Sequence, residues 1–211
     1  MNKKHTINSL YDDDPKTKKY IGPVGPEEES DLELYREIEF GFSVDDSLIY
    51  FHGDVMLGNL FDIVSKCRVI LQNREENDTS PITILINSNG GDVYEALGII
   101  DYIQTLSVPV NVIARGRAMS AAALILCCAT GIRAASKNTT IMVHEASAEI
   151  FGKSGDIKAN ADHIDILEEE FYKLLASKSK HDQEFWRKAC RKDFYMTAEK
   201  ALELGLIDKI I

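Results

Sequence analysis

The chain has 211 residues, 45% of them hydrophobic, which is enough to bury one sizeable core and excludes a chain that is disordered throughout. Its formal net charge of −10, from 24 Lys and Arg against 34 Asp and Glu, argues against nucleic acid as a partner, because phosphate binding relies on clustered cations. Cys67, Cys127, Cys128 and Cys190 show no CxxC spacing and read as buried thiols of a reducing compartment, so neither a structural metal nor a disulfide framework is expected. No run of residues approaches the apolar length of a membrane span, and Met1 to His5 lead into polar residues, so a soluble, cytoplasmic protein is expected.

In chain order, residues 1–35 are polar and charged. Asp12-Asp13-Asp14-Pro15, the Gly22 to Pro26 punctuation and Glu27-Glu28-Glu29 predict a flexible arm, leaving 36–211 as the folded domain. Strand-like Leu48 to Phe51 leads through His52-Gly53-Asp54 into an amphipathic helix over about 55–72, with Leu57, Leu60, Phe61, Val64, Val69 and Leu71 as its apolar positions. A buried strand, Ile82 to Ile86, reaches Asn87-Ser88-Asn89-Gly90-Gly91, and a second helix runs over about 92–106. The strand Val110 to Ala114 then leads to Ser120 and the apolar run Ala121 to Leu126. Three strand-turn-helix units in succession predict an α/β fold with parallel strands. Two short strands, Ile132 to Ala135 and Thr140 to His144, follow, then a long helix over about 157–179 with Ile164, Ile166, Leu167, Phe171, Leu174 and Leu175 at helical spacing. A further helix near 182–190 precedes Thr197 to Leu202 and the final Leu206 to Ile211.

Ser120 stands where a strand turns into a buried helix. There a hydroxyl is exposed, unpaired N–H groups point towards it and the helix dipole favours a developing negative charge. A serine at a helix start also serves as an N-cap, and on residue type alone that reading is the commoner one. Gly90-Gly91 ends a buried strand and allows close backbone approach, or simply makes an ordinary turn. His144 ends an apolar strand and is either a hydrogen-bonded structural residue or, within reach of Ser120, a base that needs an acid to fix its tautomer.

Four runs taken together resemble one family: Pro81 to Val93, Gly116 to Ala121, Ile141 to His144, and Ala201 to Ile210 are similar, in order and spacing over about 40–211, to the proteolytic subunit of Clp protease, ClpP. The resemblance implies a ClpP/crotonase-like fold, in which repeated strand-turn-helix units carry a protruding helix-strand handle. It implies a serine endopeptidase with Ser120 as nucleophile, His144 as base and Asp193, in Lys192-Asp193-Phe194-Tyr195-Met196-Thr197-Ala198, as the acid. The backbone N–H groups of Gly91 and Ala121 would form the oxyanion hole. No cofactor or metal is implied. An extended substrate, an unfolded polypeptide, would add as a strand beside Arg115 to Ala118 and the stretch after His144. Implied partners are further copies of the chain in a seven-membered ring, stacked in pairs, and an AAA+ unfoldase; the 157–179 helix would lie in the ring-to-ring handle, although its apolar stripe also suits the core of one subunit.

The chain departs from the family pattern at several points. Asn89 replaces a proline, Arg117 a glutamine, Ala121-Ala122 a Met-Gly pair and Glu145-Ala146 a Gln-Pro pair, and Arg191-Lys192 replaces the acid-arginine pair before Asp193. Such divergence suits a phage-encoded or otherwise specialised relative. The alternatives to an active Clp-type peptidase are a non-proteolytic ring or scaffold subunit, a phage head-maturation-type protease, a crotonase, and a Ser-Lys signal-peptide peptidase. A lost triad residue would mark the scaffold; crotonases have no need of Ser120 or His144, and Ser-Lys enzymes carry an export context.

Overall fold

A computed structural model describes residues 26–211 apart from Glu149, so most of the predicted arm lies outside the described residues. Where that arm overlaps them the chain is helical: α1 spans Pro26–Phe40. Polar ties explain the order that composition did not predict. Glu37 accepts the Tyr50 hydroxyl at 2.5 Å, and Glu33 accepts the backbone N–H of Val44 at 2.8 Å.

Three strand-helix units follow, as the hydrophobic pattern predicts. A short β1 (Phe42–Ser43) pairs antiparallel with β2 (Leu48–His52), which leads to α2 (Asn59–Gln72). Next come β3 (Ile82–Ser88) with α3 (Val93–Thr105), and β4 (Val110–Met119) with α4 (Ala121–Cys127). Strands β2, β3 and β4 are parallel neighbours, continued by β5 (Arg133–Ala135) and β8 (Lys209–Ile210) in the order β1-β2-β3-β4-β5-β8.

The core lies between this sheet and its helices. Ile82, Ile84 and Ile86 alternate inward from β3, while Ala96, Ile99, Ile100 and Ile103 face them from α3. Fully burying side chains of this size stabilises the fold by about 1.5–3 kcal/mol each. Every residue of α4 is buried, as expected of a helix that is apolar on all sides. On α2 the buried face is Ile63, Cys67 and Ile70, whereas Leu57, Phe61 and Val69 from the predicted stripe are exposed. Apolar residues occupy both faces of that helix, so spacing alone does not choose between them.

One strand forks, and the fork positions the site. Along Val112 to Ala114 β4 has β5 on its outer side, but along Arg117 to Met119 that neighbour is β6 (Thr140–Val143). The sheet switches partners next to Ser120, the kind of place where α/β sheets open a crevice. Strand β6 in turn pairs antiparallel with β7 (Phe194–Thr197).

The long helix α5 spans Ser154–Ser177 and is followed by α6 (Gln183–Ala189) and α7 (Ala198–Leu204). Its two halves differ. Tyr172 and Leu175 are buried, while every residue from Ser154 to His163 is exposed, and so is Ile166 of the predicted stripe. Only the second half contributes to the core of this chain; the first projects from it as the helix of a handle. Among the described residues, 144–148 and 150–153 make no sheet pairing.

Candidate active site

Between β4 and α4 the chain reverses within one residue. Ser120 absorbs the turn with φ 52° and ψ −124°, a conformation that costs a non-glycine residue about 1–3 kcal/mol. Its N–H donates to the Met142 carbonyl at 2.7 Å, which anchors the turn to β6. The side chain makes no cap to α4, so the N-cap explanation of this serine does not hold. Oγ lies 2.8 Å from Nε2 of His144 instead. The register explains the meeting: Met119 is opposite Met142 in a parallel pair, so Ser120, one residue on, and His144, two residues on, emerge at the same end of the sheet.

The glycine pair fits against this turn. Gly90 has φ +91°, and a Cβ there would sit 2.5 Å from the Met119 carbonyl and 2.8 Å from the Ser120 Cβ. Gly91 has φ +143°, and its Cβ would lie 2.3 Å from the Val55 carbonyl. Val55 N–H donates to Gly90 O and Asp92 N–H to Val55 O, both at 2.8 Å, so the loop is pinned on both sides of Gly91. The N–H of Gly91 itself, and that of Ala121 at the start of α4, have no hydrogen-bond partner among the described residues. Asp92 caps α3, accepting from the N–H groups of Tyr94 and Glu95.

Asp193 stands apart from the Ser-His pair. Val143 is paired with Phe194 at the end of the β6–β7 ladder, and His144 and Asp193 each lie one residue beyond that pair. No hydrogen bond joins them, and the exposed Asp193 carboxylate accepts the Tyr195 hydroxyl at 3.4 Å.

A cavity of about 690 Å³ opens beside Ser120 and His144. Residues 89–94 line one side, 144–148 another, and Ile164, Leu167, Phe171 and Tyr172 of α5 form an apolar wall. The segments facing the cavity are therefore 89–94 and 144–148. Of the Arg115 to Ala118 edge predicted for a substrate strand, Arg117 is already paired with Thr140 of β6, and Ala118 with Ile141 of β6 and Ser88 of β3.

Two of the departures noted in the sequence touch each other at the rim. Arg117 Nη1 donates to Asn89 Oδ1 at 2.9 Å, and Asn89 Nδ2 donates to Asp54 at 3.3 Å. Ala121 and Ala122 are buried beneath the turn, and Arg191 and Lys192 are exposed and form no ion pair among the described residues. Glu168, which sequence reasoning passed over, lines the cavity and accepts the Ala146 N–H at 2.7 Å. The signal available for it was an acid at position i+4 from Ile164 and i−4 from Tyr172, in the middle of an apolar stripe.

Comparison with known proteins adds the lineage. The Clp protease family profile matches residues 47–211. An ATP-dependent Clp protease proteolytic subunit of Bacteroides thetaiotaomicron is 39% identical over 132 residues, which cover 62% of this chain and 60% of that protein. The ATP-dependent Clp protease proteolytic subunit 2 of Synechococcus sp. strain CC9605 is 32% identical over 161 residues, 74% of this chain and 82% of that one. With parallel strand-helix units, a strand fork and a glycine pair set against Ser120 all falling within the matched span, the chain belongs to the Clp protease family.

Proposed function

We propose that the protein is a serine endopeptidase that cleaves unfolded polypeptides by acyl transfer. The observation that carries the reading is Ser120 itself, held at φ 52° with its hydroxyl on His144 Nε2. A strained residue whose side chain leaves the helix cap open and meets an imidazole suits a nucleophile better than a structural serine.

In the first step His144 takes the Ser120 proton as Oγ bonds to the peptide carbonyl carbon. The carbonyl oxygen becomes an oxyanion, for which the unpaired N–H groups of Gly91 and Ala121 are the donors; losing one donor of this kind costs about 10²- to 10³-fold in rate. Collapse breaks the C–N bond, and His144 returns the proton to the leaving amine. Water, deprotonated by His144, then attacks the ester and releases the acid and free Ser120. Asp193 takes the role of orienting acid: its place one residue beyond the Val143–Phe194 pair, as His144 is, supports this, and engagement requires its carboxylate to leave the Tyr195 hydroxyl for the imidazole Nδ1.

The working form is a homo-oligomer, a seven-membered ring or a stacked pair of such rings, served by an AAA+ unfoldase. Support comes from the exposed first half of α5 and from the similar proteins of Bacteroides thetaiotaomicron and Synechococcus, which are named as subunits of ATP-dependent proteases. A fluorophosphonate tests the chemistry. It is expected to label Ser120 in the assembled protein, and Ser120→Ala is expected to lose both labelling and hydrolysis of a short fluorogenic peptide. Asp193→Asn should assemble and turn over far more slowly; unchanged turnover removes Asp193 from the mechanism. Native mass measurement of the same sample reads the ring, and an assembled protein that neither labels nor cleaves is a scaffold.

A further inference from the structure

The cavity beside Ser120 carries uncompensated negative charge on an apolar wall. Three consecutive acids, Glu168, Glu169 and Glu170, sit on α5. Glu169 is paired with Arg187 and also accepts from Gln183, and Glu170 is paired with Lys173 at 2.6 Å. Glu168 has no ion pair among the described residues, and it is the one of the three that lines the cavity. It is half-buried, and one carboxylate oxygen, Oε1, is held by the Ala146 N–H at 2.7 Å; among the described residues no hydrogen bond occupies Oε2. Glu145, next to His144, also lines the cavity without an ion pair, whereas Asp92 is engaged as a helix cap. Among the described residues no Lys or Arg lines the cavity. Burial pushes the Tyr172 hydroxyl up to about 12, and among the charges acting on it Glu168 contributes most in the same direction.

A long aliphatic stem ending in a cation matches these surroundings. Ile164, Leu167 and Phe171 offer apolar surface for the methylenes, and the free oxygen of Glu168 offers a charge-assisted acceptor for the head. An acidic side chain entering the same space meets Glu168 and Glu145 without a counter-charge, so the arrangement rejects as well as selects. Resting on the peptidase reading above, we propose that Glu168 is a specificity-determining residue, which makes the enzyme prefer Lys or Arg on the acyl side of the scissile bond.

Peptidyl diphenyl phosphonates that differ only in the side chain beside phosphorus, Lys, norleucine or Glu, test this on the assembled full chain. Ser120 Oγ bonds to phosphorus as phenoxide leaves, so labelling reads selectivity without requiring turnover. The expected order is Lys over norleucine over Glu. Glu168→Gln keeps a carbonyl acceptor for the Ala146 N–H and removes only the charge. It should lower the Lys-to-norleucine ratio about tenfold, the size of one charge-assisted hydrogen bond. Glu168→Lys should reverse the Lys-to-Glu order. A simple fluorophosphonate, run on every variant, reports whether the Ser120–His144 pair is intact. If it labels Ser120 throughout while the Lys-to-norleucine ratio is the same in the natural protein and in Glu168→Gln, the specificity proposal is overturned and the nucleophile stands. If it fails to label Ser120 in the natural protein, both fall.

Discussion

Arg117 and Asn89 are hydrogen-bonded to each other at 2.9 Å, and each replaces a residue that the Clp pattern has elsewhere. The two departures are therefore one change with two halves: the asparagine supplies the acceptor that a proline lacks, and the arginine supplies the donor. Both side chains are exposed, so the contact is weak. A double-mutant cycle with Asn89→Ala and Arg117→Ala, read by urea unfolding, should give an interaction of about 0.5 kcal/mol. Strict additivity would mean that the hydrogen bond contributes nothing measurable to stability.

Strain at Ser120 has a signature that a catalytic assay does not see. Ser120→Ala and Ser120→Gly both lack the hydroxyl, so comparing them isolates the backbone. Glycine normally destabilises a folded position relative to alanine by about 0.5–1 kcal/mol. At φ 52° the order should invert, with Ser120→Gly the more stable by about 1 kcal/mol in chemical denaturation. Equal stabilities, or alanine ahead, would show that the turn relaxes once the hydroxyl is gone.

The cysteines give a pH dependence. Burial raises the thiols of Cys67 and Cys190 to about 12 and that of Cys128 to about 11, and it raises Cys127 as well. An unfolded thiol ionises at about 8.5, so above that pH the unfolded chain releases protons that the folded chain keeps. Stability is then complete below about pH 8.5 and falls as pH rises towards the folded values, by about 1.4 kcal/mol per thiol per pH unit. The urea midpoint should drop between pH 7.5 and pH 9.5, and a thiol reagent at pH 8 should reach these four cysteines only after denaturation. Rapid labelling of any of them in the folded protein would contradict the burial.

Much of the fold was legible because its strands obey a simple alternation. Ile82, Ile84 and Ile86 announce β3, and the wholly apolar Ala121 to Leu126 announces a helix with no solvent face. Helix α1 was illegible because its order depends on Glu33 and Glu37 reaching groups on β1 and β2, contacts that no local pattern encodes. The extension of β4 to Met119 was hidden by Arg115-Gly116-Arg117, whose exposed charges interrupt the apolar alternation at the fork. At the site, residue types left Ser120 open between a cap and a nucleophile and His144 between a structural residue and a base, and it was the resemblance to the Clp pattern that joined them with Asp193. The positive φ that separates a strained serine from a cap is a backbone property that a side-chain code does not state. Glu168 escaped notice for a related reason: apolar periodicity counts the residues that fit a stripe and passes over an acid inside it.

Helix α5 is fixed at one end and bare at the other. Tyr172 and Leu175 are buried in the core with Phe171 and Leu174 packed against it, Tyr94 on α3 touches His163 at 2.8 Å, and Ser154 to His163 are exposed. At 1.5 Å per residue the helix is a rod about 36 Å long, and the wall that carries Glu168 lies between its anchor and its free end. A partner gripping the free end would hold the long arm of a lever whose short arm carries the cavity wall beside Ser120.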